Sequence, residues 1–196
     1  MGIDEDRRPI YDDGSGELGK QAAKAKMKKH AVFTIFSLLV ALTPLPVMAQ
    51  TSTGCTQDEL GDPPRIVYRC VGGMILEAEA ASALGIVGTG KNDRPTDVEV
   101  KSDAVFIKLP RRSGPFQIRT PHAIAAVRGT KYVVDVTREK TSVFVRRGKV
   151  IVSRPDGSEA VTLTRGLGAD VTPGEPLVAR RWPKERVGKL LSRFGR

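Results

Sequence analysis

The stretch Phe116 to Arg154, FQIRTPHAIAAVRGTKYVVDVTREKTSVFVRRGKVIVSR, constrains the fold most. Apolar and polar residues alternate through it, and turn residues interrupt the runs at short intervals. Tyr132, Val134 and Val136 fall on one face of an extended segment while Lys131, Asp135 and Thr137 fall on the other, the period-two pattern of a half-buried strand. Arg138-Glu139-Lys140, Arg147-Gly148-Lys149 and Arg154-Pro155-Asp156-Gly157 are turn signals between such runs. The spacing predicts an all-β fold, an antiparallel sandwich or β-roll.

At 196 residues the chain has material for one modest core with appended segments. Residues 1–49 read as a disordered tail plus signal peptide. An acidic opening gives way to Lys20, Lys24, Lys26, Lys28 and Lys29, the apolar run Ala31 to Leu42, and a small-residue exit ending at Ala49. About twelve apolar residues make ~18 Å of helix against a hydrocarbon core of ~30 Å, so the run reads as a cleavable signal. Met27-Lys28-Lys29-His30 would make an ordinary start, which suggests Met27 as the true initiator. The predicted location is the periplasm; the alternative is an inner-membrane protein anchored through residues 31–47.

The two cysteines, Cys55 and Cys70, follow the export signal closely, and the reading is one disulfide, with two free thiols as the alternative. Residues 50–84 are expected to form a disulfide-stapled N-terminal unit, with a strand over 65–70, a Gly72-Gly73 turn and a second strand from Met74. Glu77 to Leu84 suits either helix or strand. Residues 85–97, rich in Gly, Asn, Asp and Pro, read as a linker or loop, and 98–178 as the main β domain.

The end of the chain, 179–196, changes character. Val187, Leu190, Leu191 and Phe194 recur at i, i+3, i+4 and i+7, with Lys184, Arg186, Lys189 and Arg193 elsewhere on the wheel, which predicts a short basic amphipathic helix. Either it lies on an anionic membrane surface through Lys184, Arg186, Lys189, Leu190 and Arg193, or it packs its stripe on the sheet, and the narrowness of the stripe favours packing.

Candidate chemistry is sparse. Two histidines, one of them in the signal segment, exclude a site built from several imidazoles. His122 stands near no Ser, Asp or Cys spacing of a triad or metal set, and reads as a hydrogen-bonded loop residue. Glu77 and Glu79 share a face but lack a second wall, and read as solvated. No catalytic, cofactor or metal residues are expected, and the chain reads as non-enzymatic. The net charge of +10 favours anionic partners: an envelope protein, an anionic envelope polymer or a membrane surface. Nucleic acid fits poorly, because aromatic residues for base stacking are few.

The motifs Thr120-Pro121, Ala123 to Ala126, Val127-Arg128-Gly129-Thr130, Tyr132 to Val136, Val145 to Val150 around Gly148, and Gly166 to Ala169 together resemble the FecR family. The resemblance covers about a third of the chain and implies a periplasmic all-β sensing or signal-transduction domain. In the regulators proper, a membrane span joins such a domain to a cytoplasmic part that grips a sigma factor. This chain departs from that plan before and within its apolar run. An exported sensing or binding module is therefore the expectation, with a membrane-anchored anti-sigma-type regulator as the alternative. Within the motif, Arg128, Gly129 and Thr130 are the candidate ligand or partner contact; the competing reading has Gly129 holding a bend and Arg128 paired with a carboxylate such as Asp135.

Overall fold

A computed structural model of the chain describes residues 54–196. The tail, the apolar run and the expected cleavage site lie outside the described residues. Among the described residues no helix is long and apolar enough to cross a membrane.

The described residues form fourteen strands and one α-helix: β1 (Cys55–Gly61), β2 (Pro64–Cys70), β3 (Met74–Glu79), β4 (Leu84–Thr89), β5 (Pro95–Val100), β6 (Asp103–Lys108), β7 (Phe116–Arg119), β8 (Ile124–Val127), β9 (Lys131–Val136), β10 (Thr141–Arg147), β11 (Lys149–Ser153), β12 (Ala160–Thr164), β13 (Leu167–Val171), β14 (Arg180–Arg181) and α1 (Lys184–Ser192). They build an eight-stranded sheet, β1-β2-β3-β6-β9-β10-β13-β14, and a six-stranded sheet, β12-β11-β8-β7-β5-β4. Every pairing is antiparallel except β5 with β7.

One core lies between the sheets. Leu76, Val105, Ile107, Tyr132, Val134, Val143 and Val145 enter it from the larger sheet, and Val98, Val100, Phe116, Ile118, Ala125, Val150, Val152 and Leu163 from the smaller. A second, smaller core sits on the opposite face of the eight-stranded sheet, where Ala104, Phe106, Val133 and Phe144 meet Trp182, Leu190, Leu191 and Phe194. The central strands are therefore buried on both faces, and β6 and β9 read as nearly continuous apolar runs for that reason.

The disulfide joins Cys55 to Cys70, which stand directly opposite each other across β1 and β2. The bond is as expected; its hairpin is not the one expected. The turn at Gly72-Gly73 joins β2 to β3, while the staple closes the preceding hairpin, whose first strand is almost wholly exposed and lacks the apolar alternation that marks a strand. Glu77 and Glu79 lie in β3, and the chain turns only after them.

Residues 85–97 are not a linker. They form most of β4 and the start of β5, a hairpin at the edge of the smaller sheet with register shifts around Gly88. Glycine is tolerated in an edge strand that is bent and paired on one side only, so composition alone misread it. Nor do β1–β3 stand apart, because β3 pairs with β6 and continues the larger sheet.

Candidate functional site

The turn Arg128-Gly129-Thr130 connects β8 of the smaller sheet to β9 of the larger one and so passes from one layer to the other. Gly129 has φ +63°, and a Cβ there would lie 2.6 Å from the Arg111 Cα and 3.0 Å from its carbonyl oxygen. Both the backbone conformation and the closeness of the neighbouring loop demand glycine. Thr130 is fully buried; its carbonyl accepts from the Leu109 amide at 2.8 Å, while its hydroxyl has no hydrogen-bond partner.

Gly129 thus holds the bend. Arg128 is not paired with Asp135, which instead meets Arg193 at 3.0 Å. Among the described residues Arg128 faces no carboxylate and is exposed at the rim of a groove of about 580 Å³.

The groove follows from strand register. Asp97, Gln117, Ala126 and Ile151 stand opposite one another in succession across β5, β7, β8 and β11. Their inward neighbours, Val98, Ile118, Ala125 and Val150, fill the main core, so this row faces outward. The short side chain of Ala126 between Gln117 and Ile151 leaves the depression, and Ile151 is 49% exposed.

At one end the Asp97 carboxylate is neutralised, accepting from Gln117 at 2.8 Å and from the Arg119 guanidinium. Burial pushes this carboxyl up, but the hydrogen bonds from Arg119 and Gln117 and the Arg119 charge outweigh it and hold the group below its usual range. Arg128 and Lys149 at the groove carry charges that no carboxylate meets among the described residues. The arrangement can receive an apolar side chain over Ala126 and Ile151 and an acidic group beside Arg128 and Lys149.

The helix residues fall into two groups. Leu190 is buried in the second core, Arg186 donates to both Asp170 carboxylate oxygens at 2.6 and 2.9 Å, and Arg193 is bound by Glu79 and Asp135. Lys184 and Lys189 remain exposed. The apolar stripe packs on the sheet, so Leu190 has no side left for a membrane.

Glu77 and Glu79 are not a solvated face. Glu77 is 8% exposed and accepts from Arg196 at 2.6 and 2.9 Å, and Glu79 accepts from Arg193 and from the Ala104 amide. These carboxylates anchor the end of the chain, a long-range pairing with no local signature in sequence.

A second cleft of about 660 Å³, lined in part by His122, Arg154, Asp156, Ser158 and Glu159, was not anticipated. Its polar groups are locally engaged: His122 Nδ1 lies 3.3 Å from the Thr141 hydroxyl, Ser158 donates to Asp156 at 2.8 Å, and Arg154 donates to Glu159 at 2.7 Å. Among the described residues no cluster of three or more His, Cys, Asp or Glu side chains is placed to hold a metal.

Together the two sheets define an all-β sandwich domain that carries the Arg128 groove on its outer face. The family model for FecR protein matches residues 64–151, from β2 into β11 and including the Arg128 turn. Over those residues the chain is similar to the FecR protein family. A comparison with curated proteins finds no relative. Among solved structures, a candidate anti-sigma factor from Parabacteroides distasonis ATCC 8503, at 1.65 Å resolution, superposes with a TM-score of 0.51 at 23% identity, covering 71% of this chain and 61% of that one. A second structure under the same description, at 2.50 Å, gives 0.44 and 22% over the same shares. The chain thus spans less than two thirds of these neighbours, and the first likeness concerns the fold alone.

Proposed function

We propose that the protein is an exported, non-enzymatic FecR-type module that binds a protein of the cell envelope through the groove beside Arg128. The observation that carries this reading is the uncompensated Arg128 guanidinium, placed by the FecR-matched turn at the rim of a groove with an exposed apolar wall. A free guanidinium fork next to apolar surface suits a segment that offers one carboxylate and one apolar side chain. The Cys55–Cys70 disulfide supports export, since such bonds persist in oxidising compartments.

Cross-linked co-purification from periplasmic extract tests the binding. Wild-type protein is expected to retain a discrete partner that Arg128→Ala loses at unchanged melting temperature. Equal capture by both forms would remove the groove from the account.

A further inference from the structure

On the larger sheet, a cleft of about 410 Å³ is lined by Phe106, Lys108, Lys131, Arg146, Arg147, Arg165 and Arg196, none of them acidic. Sheet register creates it. Lys108 stands opposite Lys131, and Lys131 opposite Arg147, so β6, β9 and β10 place a cation side by side. The register shift between Val145 and Arg147 makes room for Arg146 in the same stretch, and the β12–β13 turn adds Arg165.

Arg196 lies over the Phe106 ring, 4.2 Å from its centre, and is already held by Glu77. The other cations meet no carboxylate among the described residues. An ordinary solvated basic face spreads its charges apart. Here separate elements bring them to one concavity with an aromatic floor, and like charges at close quarters are unfavourable until an anion joins them.

We propose that this cleft binds a polyvalent phosphate group, either free diphosphate or a phosphomonoester headgroup. Guanidinium forks match phosphate oxygens in pairs, and lysines add point charges, so this mixture suits phosphate better than a single carboxylate does. At ~30 Å³ per water in the liquid, the cleft has room for a phosphate together with its substituent. The crowding of charge is felt at Lys131, whose ammonium is held below its usual range by partial desolvation and by repulsion from Arg147, Lys108, Arg146 and Arg196. The site shares no residue with the groove and does not depend on the reading given for it.

Titration calorimetry of the purified protein with inorganic pyrophosphate tests the proposal, alongside co-sedimentation with phosphatidylcholine vesicles with and without phosphatidic acid. The cleft variant is Arg147→Ser with Arg165→Ser. A charge-matched control is Arg112→Ser with Arg138→Ser, both in exposed turns. Pyrophosphate binding that weakens with salt, falls at least tenfold in the cleft variant and holds within about twofold in the control supports the site. Added binding to phosphatidic acid vesicles that also depends on the cleft pair identifies a lipid-borne headgroup, and its absence a soluble phosphate. No binding of either probe, or equal losses in cleft and control variants, would overturn the proposal.

Discussion

Gly129 and Arg128 are neighbours with separate tasks, and substitution divides them. Gly129→Ala brings a methyl group within 2.6 Å of the Arg111 backbone at a positive φ, so it should cost at least ~1–3 kcal/mol, measured by chemical denaturation. Arg128→Ala removes an exposed, unpaired side chain and should leave stability within about 0.5 kcal/mol. A large loss of stability in Arg128→Ala would show that the guanidinium supports the fold. The sequence identifies this turn because Gly between two strand patterns has local meaning. It is silent on the partner of Arg128, because ion pairing is settled by neighbours remote in the chain: Asp135 goes to Arg193, and Arg128 meets no carboxylate among the described residues.

Helix α1 shows the same division one level up. Its period and its basic character are both readable from Val187 to Phe194, and the side it docks on is not. The apolar runs of β6, β9 and β10 mark buried strands without saying that both faces are covered, and Phe106, Val133 and Phe144 acquire meaning only when α1 covers them. Trp182, the only tryptophan, stacks on Phe144 with ring centres 5.4 Å apart and lies under Arg186 at 3.5 Å, so its fluorescence reports docking.

A Cβ at residue 168 would approach the Trp182 ring to 2.4 Å. Gly168→Ala should therefore expose the indole and shift its emission to the red, and an unchanged spectrum would contradict the packing. Phe194→Ala empties a site that is 1% exposed and should cost about 3–5 kcal/mol in chemical denaturation.

Acid should loosen the same element. Burial pushes the Asp170 carboxyl up, but hydrogen bonds from Arg186 and Ser142, with the charges of Arg186 and Lys140, hold it below the usual range. A depressed folded-state value means that the contribution is complete above the unfolded pKa and is lost as pH falls from about 4 through the folded value. Trp182 emission in Asp170→Asn should lose the part of the acid response that falls in that window.

At the scale of the molecule, the two sheets share one core and the disulfide ties the exposed β1 to them. In the chain-entropy model a closed loop of 15 residues contributes roughly 3 kcal/mol, so reduction should lower the melting temperature by several degrees without unmaking the sandwich. Sandwich architecture is readable because alternation and turn spacing are local. The β4–β5 hairpin and the place of β1 were hidden because edge strands carry little apolar pattern.

The proposed function rests on export of this FecR-like chain. Intact-mass measurement of the protein in fractionated cells tests it most directly. The predicted result is a periplasmic species beginning at Gln50, lighter than its reduced form by the two hydrogens of a Cys55–Cys70 disulfide. A membrane-bound species that retains residues 31–47 would contradict it and favour an anchored regulator.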